Sequence, residues 1–518
     1  MPLKKFTKTK EFKIFLTAFI VYIFYLQMYG SSCMANSQSG LTAAIVNEGR
    51  FKVDTYYRTS CDVAYYKGHY YSGQPPGISF LGAPFYAASK PFFNLLPDKT
   101  IDSLYSKLEK YGDRLGMDYW GKKKILSNYF EGLSKRQILE YIFISGFVLP
   151  ISTTALIGAI SVVLFYAFLR RFTQNEKLRL GITALYAFGT AQFPSSALFM
   201  ERPIAIALTF AAFFVLFRMK HNELKPKTSA LFFSGLLAGL SGMFDYFHVF
   251  ASGLLFLYLL SFYVIQTNRK TKRWTTYLNR QKWSGIASFV AGVSICVILL
   301  GLYHYAIFDN PLKTSYSYRI VSASDASISD IVKLKLPSSE TLFYMWAFIL
   351  YTPVILVAVY GVYKALLKKD RYYGDAISIA IFVAFTLVYA AILALVYPVG
   401  VAPHFKRHMS PIIPYVMLFL PYALVQSSKT KRSIAKKILL IVGASSVFIN
   451  WVHVQQKLDF LELMRYFFTH GPSSSFLEAF AGVFRLNSLV INLVGLAVLI
   501  LLICIIWKPY FAKARQQL

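Results

Sequence analysis

Side chains able to move protons and hold phosphate are gathered in a few polar segments of this chain. Asp54 and Asp62 stand in a long polar stretch that runs from about residue 30 to residue 140, with Glu48 just ahead of them. Glu201 and Arg202 precede Pro203 between two apolar runs, Asp245 and His248 share a turn, and Lys406, Arg407 and His408 lie together much later. Carboxylates beside cations suit a reaction in which a hydroxyl loses a proton while a phosphate departs. Arg407 is the leading phosphate ligand, because guanidinium offers phosphate oxygens a planar fork of donors. His408, Lys406 and Arg202 can add to it. Each of these residues could instead rim a helix end, and Glu201 could simply pair with Arg202. Asp245 and His248, three apart on one side of a helix, could relay a proton or ligate a metal, although no third ligand stands at a suitable spacing.

The elements that must position these groups are transmembrane helices. Of 518 residues, 56% are hydrophobic and only 15% are charged. Apolar runs of around twenty residues, enough to cross ~30 Å of hydrocarbon, recur from end to end. About twelve spans are expected on that criterion, near residues 14–30, 141–168, 180–199, 203–217, 229–244, 249–266, 284–308, 341–363, 376–397, 410–426, 437–452 and 487–507. The first is read as an uncleaved span, since the run is long for a signal peptide and no small-residue cleavage site follows it. The fold class is an all-α polytopic membrane protein.

The net charge of +31 is distributed in a way that argues against nucleic acid, because no basic soluble domain carries it. Lys and Arg pile up in alternate short loops, at residues 4–13, 170–171, 218–227, 269–282, 364–371, 429–437 and 508–515. The positive-inside rule then places both termini in the cytoplasm of a cell-membrane protein, with the basic loops facing anionic lipid. The segments left outside are the first loop (31–140), the hairpin at 200–203, the turn at 245–248, and residues 309–340, 397–409 and 453–487. Within the first loop, residues 102–110 and 124–138 have the spacing of surface helices. Residues 309–340 read as a mobile loop. Cys296 and Cys504 fall inside spans. Cys33 and Cys61 both lie outside, where a disulfide is permitted, but sequence does not supply the distance that bond needs.

Tyr70-Tyr71-Ser72-Gly73-Gln74-Pro75-Pro76-Gly77, followed by Leu81-Gly82-Ala83-Pro84-Phe85-Tyr86, resembles the signature "YYS-x-x-(A/P)-PG…APxY" of GT-C membrane glycosyltransferases. More narrowly it is similar to the prokaryotic branch related to protein O-mannosyltransferases and aminoarabinose transferases. Leu185 to Thr190 leading into Leu198-Phe199-Met200-Glu201 resembles that branch's third span. Tyr303-His304-Tyr305-Ala306-Ile307-Phe308-Asp309-Asn310-Pro311 is similar to its "YNxxxFGxP" segment, and Lys406-Arg407-His408-Met409-Ser410-Pro411-Ile412-Ile413-Pro414 to its "RYLLPxxP" segment.

The resemblance implies a GT-C-like bundle over residues 1–426, with further membrane helices at 427–518. It implies an inverting transfer of sugar from a polyprenyl- or dolichyl-phosphate donor to an extracytoplasmic glycan, lipid or protein, with no cofactor and no metal. A first-loop carboxylate would be the base, and basic side chains would hold the lipid phosphate. Many relatives carry an Asp-Glu pair just after the first span, where this chain has Asn36-Ser37-Gln38-Ser39. The base therefore falls to Asp54, then Asp62, then Glu48. Glu201 occupies the place of a second acid and His304 that of an Asn. Tyr70, Tyr71, Gln74, Asp245 and His248 are the remaining candidates for contact with substrate. A flippase of lipid-linked sugars and a non-catalytic scaffold are the competing expectations.

Overall fold

The computed structural model describes residues 9–27, 32–111, 129–267, 274–276, 280–321, 348–396, 408–425, 429–455 and 460–515. Its helices in chain order are α1 (Lys10–Phe24), α2 (Cys33–Glu48), α3 (Gly77–Asn94), α4 (Asp98–Tyr111) and α5 (Lys135–Leu169). There follow α6 (Glu176–Phe188), α7 (Arg202–Lys220), α8 (Thr228–Phe244), α9 (Phe247–Tyr263) and α10 (Arg280–Phe308). The last are α11 (Val354–Lys368), α12 (Tyr373–Val396), α13 (Lys429–Gln455), α14 (Phe460–His470), α15 (Ser475–Phe484) and α16 (Ser488–Arg515). Strands are short: β1 (Asp62–Tyr66), β2 (His69–Ser72), β3 (Ile265–Thr267), β4 (Trp274–Thr276) and β5 (Arg319–Val321).

Six helices are long and apolar enough to cross a bilayer, namely α5, α7, α10, α12, α13 and α16, and α8 and α9 are shorter apolar helices. The protein is a polytopic α-helical membrane protein. Outward-facing Leu493, Val494, Val498 and Leu501 on α16 are bare in the isolated chain, as suits a surface whose solvent is hydrocarbon. In α5, Pro150 cannot donate to the helix ladder, and π-helical turns flank it at Ile144–Val148 and Ile151–Ala155. Hydroxyls of Ser152 and Thr154 donate to the carbonyls of Val148 (2.6 Å) and Pro150 (3.0 Å), which keeps those acceptors satisfied away from water.

Two expected spans are broken. Of the span expected at 410–426, the described residues wind only as short turns at Ser410–Ile412, Ile413–Met417 and Leu420–Ala423, because Pro411, Pro414 and Pro421 interrupt the ladder. This segment is buried in protein, where irregular backbone is tolerated at membrane depth. Residues 180–199 form α6 up to Phe188 and then a separate turn at Gln192–Ser196.

Basic loops meet at one end of the bundle. Lys10 pairs with Glu176, Arg170 with Glu11, and Arg171 with Glu223 at 2.9 Å. The fully buried Asp375 there is held by Lys220 (2.8 Å), His221 (2.8 Å) and the hydroxyl of Tyr258 (2.6 Å). First and last parts of the chain are also joined: Trp451 Nε1 donates to Tyr25 Oη (2.6 Å) and Trp507 Nε1 to Thr17 Oγ1 (2.9 Å).

At the other end the first loop is a folded cap with its own core, in which Ala44, Tyr56, Tyr86 and Tyr141 are buried. Cys33 and Cys61 are disulfide-bonded, Cα to Cα 5.2 Å. The expected surface helix at 102–110 is α4, which buries Ile101 and Tyr105 and pairs Asp102 with Lys135 at 2.7 Å. The one expected at 124–138 is not seen as such. Residues 112–128 lie outside the described residues, 129–134 form a turn, and from Lys135 the chain is already in α5. Ser134 and Gln137 start that span with a capping box. The segment expected to be a mobile loop is ordered in its first part: Arg319–Val321 is β5, added antiparallel to β1 in a sheet of order β2-β1-β5. Residues 322–347 lie outside the described residues.

Candidate functional site

Strand β1 opens with Asp62, whose Oδ2 accepts from the Gln74 side-chain amide and whose Oδ1 lies 2.6 Å from Arg319 Nη2. The register explains the second partner. Ala64 is opposite Arg319, so with a side-chain period of two Asp62 and Arg319 share a face one diagonal step apart. Position 73 must be glycine for this seat to exist. A Cβ there would fall 2.7 Å from the Asp62 carbonyl oxygen and press on its carboxylate. At Gly77 a Cβ would lie 2.6 Å from the Met243 carbonyl, so the Pro75-Pro76-Gly77 turn packs tightly on the end of α8.

That same end carries Asp245. It caps α8 in extended backbone and accepts from the Phe247 amide at 3.1 Å. Asp245 and His248 therefore do not share a helical side, contrary to expectation, because the helix ends at Phe244 and α9 starts afresh at Phe247. His248 instead sets its Nδ1 3.3 Å from Thr209 on α7, and Nε2 makes no hydrogen bond among the described residues.

Arg202 is the first residue of α7, and its Nε lies 3.3 Å from Asp245 Oδ2 and 3.7 Å from Glu201 Oε1. Glu201 Oε2 accepts from Gln38 Nε2 at 2.6 Å. Gln38, Asp62, Gln74, Glu201, Arg202 and Asp245 are all buried. Burial pushes the Glu201 carboxyl above its ordinary range, opposed by the Arg202 charge and reinforced by Asp245. Among the described residues, Arg202 Nη1 and Gln38 Oε1 make no hydrogen bond. Polar atoms left unpaired in a buried cluster are costly.

Two tyrosines join the halves of the cluster. The Tyr316 phenol is within electrostatic reach of Arg319, Asp245 and Asp62, and the Tyr246 phenol of Arg319 and Asp245. Their rings meet edge to face at 5.2 Å, Arg319 lies 4.9 Å over the Tyr316 ring, and Tyr246 Oη is 2.9 Å from His304 Nε2. Three carboxylates and two guanidiniums thus share one region at the end opposite the basic loops.

The other expected site residues fare differently. Asp54 is taken up by the hairpin, accepting from the Tyr70 amide (2.7 Å) and meeting His69 Nδ1 (2.9 Å). Glu48 ends α2 and pairs with Arg50 at 2.5 Å. Tyr70 stacks on Tyr57, ring centres 3.9 Å apart, and Tyr71 packs on Phe308. Lys406 and Arg407 lie outside the described residues, and half-buried His408 has its ring 6.2 Å from Tyr389. Arg319, Gln38, Tyr246 and Tyr316 were not anticipated. The order Tyr318-Arg319-Ile320-Val321 does not alternate apolar with polar, so no strand signal marked Arg319 in the sequence.

Chemically, the region offers buried carboxylates as proton acceptors and guanidinium N–H groups for an anion. Among the described residues no group of three or more His, Cys, Asp or Glu is arranged to hold a metal ion. No protein-family model matches the chain, and no curated protein is significantly similar to it.

Proposed function

We propose that this protein is a GT-C-type membrane glycosyltransferase that carries sugar from a polyprenyl- or dolichyl-phosphate donor to an extracytoplasmic acceptor, with inversion. One observation carries the reading: the buried Arg202, with an unbonded Nη1, set among Glu201, Asp245 and the Asp62–Arg319 pair. Arg202 and Arg319 hold the lipid phosphate, with Arg407 as a further candidate from the sequence. Asp62 replaces Asp54 as the preferred base. The acceptor hydroxyl gives its proton to Asp62, its oxygen bonds to the anomeric carbon, and the bond from that carbon to the phosphate oxygen breaks. The lipid phosphate leaves with one more negative charge, which the guanidiniums neutralise. About twelve membrane spans and a cytoplasmic position of both termini complete this reading.

Purified protein incubated with radiolabelled polyprenyl-phosphate sugars and a membrane extract tests it. Transfer is expected, and Asp62→Asn should lower its rate by about 10²–10⁴-fold, the usual worth of a positioned base. Translocation of donor without transfer would establish a flippase instead. Neither activity would leave the scaffold.

A further inference from the structure

Helix α2 begins with polar residues that are shut away from solvent. Asn36, Ser37, Gln38, Ser39 and Thr42 are all buried, and polar groups in such places need hydrogen-bond partners. Those partners lead to the site. Ser37 Oγ stands 2.9 Å from Ser72 Oγ and accepts from the Gly73 amide at 3.1 Å, while Ser72 Oγ accepts from the Gln74 amide at 3.2 Å. The turn that carries Gln74, a side-chain partner of Asp62, is thereby pinned to Ser37. The chain just ahead of Asp62 is tied to the same helix. Asn36 Nδ2 donates to the Thr59 carbonyl (2.8 Å), and Cys61 is bonded to Cys33. Ser60 Oγ donates to the Cys33 carbonyl (2.6 Å) and accepts from the Asp62 amide (2.9 Å).

Cys33, Asn36 and Ser37 stand at i, i+3 and i+4, so they share one face of the helix. Gln38 follows Ser37 by a rotation of about 100°, and its amide reaches Glu201 at 2.6 Å. Its backbone is held as well, the Gln38 carbonyl accepting from the Thr42 and Ser79 hydroxyls, each at 2.8 Å. Neighbouring residues of α2 thus serve different carboxylates, Ser37 reaching Asp62 by way of Gln74 and Gln38 reaching Glu201 directly. We infer that Ser37 and Gln38 are positioning residues of the transfer, through which one helix fixes Asp62 relative to Glu201 and Arg202. Neither touches the reacting atoms; each holds a group that does its work only within a fraction of an ångström of its place. The inference rests on the transferase reading and adds to it the frame that holds the base.

Steady-state transfer of labelled sugar by the full chain, titrated in a polyprenyl-phosphate sugar and normalised to monodisperse protein, tests the frame. Ser37→Ala should lower kcat about five- to tenfold, a part of the ~10²-fold cost of a 1 Å misplacement. Donor KM should stay constant, since the lost contact is to the strand turn and not to substrate. Combined with Gln74→Ala, it should add little to the loss from Gln74→Ala alone, because both act on Asp62 along one path. Gln38→Ala should be coupled in the same way to Glu201→Gln. A merely structural Ser37 would lower the melting temperature and leave kcat per folded molecule unchanged. That result would overturn the inference and leave the transferase reading intact, as would losses from Ser37→Ala and Gln74→Ala that simply multiply. Full multiplication of Gln38→Ala with Glu201→Gln would overturn it for Gln38. A wild type that transfers nothing removes the transferase reading and this inference together. Should Ser37→Ala not fold, Ser72→Ala removes the same bridge from the strand side and should show the same fall in kcat at constant KM; an unchanged kcat there overturns the frame equally.

Discussion

Gly73→Ala isolates the seat of Asp62 without changing any ionisable group. The new methyl carbon would sit 2.7 Å from the Asp62 carbonyl oxygen and 2.8 Å from its carbonyl carbon, against ordinary contact beginning at 3.4 Å. Backbone atoms cannot rotate away, so strand β1 must retreat by about 0.7 Å at its first residue, a displacement of the size that overpacking forces at ~1–3 kcal/mol. The same shift carries the carboxylate off its partners Gln74 and Arg319. A misplacement near 1 Å costs about 10²-fold in rate, so kcat should fall by about 10–100-fold. Single-turnover transfer of labelled sugar, normalised to monodisperse protein, reads that loss, and thermal unfolding reads the stability term. Gly181→Ala is the matched control, since a Cβ at that position meets nothing within 4 Å. Full activity in Gly73→Ala, or a loss no larger than the lost folded fraction, would show that the position of Asp62 is not what limits turnover.

Other consequences follow from the same structure. Glu201 binds a proton more tightly when folded than its ordinary value of 4.5, chiefly through burial. The folded state then holds more protons than the unfolded chain, so stability falls as pH rises from that ordinary value through the raised one. Glu201→Gln should flatten this slope in melting curves, and an unchanged slope would assign it to another group. Opening the Cys33–Cys61 bridge, which spans 28 residues, should lower stability by about 3–4 kcal/mol on the chain-entropy account. Comparison of the Cys33→Ser, Cys61→Ser double variant with the oxidised protein in a thermal melt checks it.

Legibility from sequence followed the length scale of each feature. Apolar runs and alternating basic loops are long signals, and α5, α7, α10, α12, α13 and α16 emerged where they were expected. The meeting of Glu201, Arg202 and Asp245 was legible for the same reason, since all three fall at helix ends on one side of a topology that charge alone suggests. Arg319 was not, because a strand of three residues is too short for periodicity to distinguish from loop. Asp54 looked like a base because its residue type and neighbourhood suited one. That its carboxylate also accepts from the Tyr70 amide depends on backbone geometry that residue type does not encode. Gln38 was passed over as a missing acid, yet its amide is what faces Glu201. The break at 410–423 was written in three prolines, but mean hydropathy does not register a lost N–H.

The bonds from Trp451 and Trp507 back to Tyr25 and Thr17 bear on biogenesis. A ribosome delivers α1 more than four hundred residues before either tryptophan emerges. Until then the hydroxyls of Thr17 and Tyr25 lack these partners, and the amino-terminal helix lacks the flank that α16 later covers. Assembly is therefore completed by the final helices, and a truncated chain ending before α13 would expose the unfilled side of α1 to quality-control proteases.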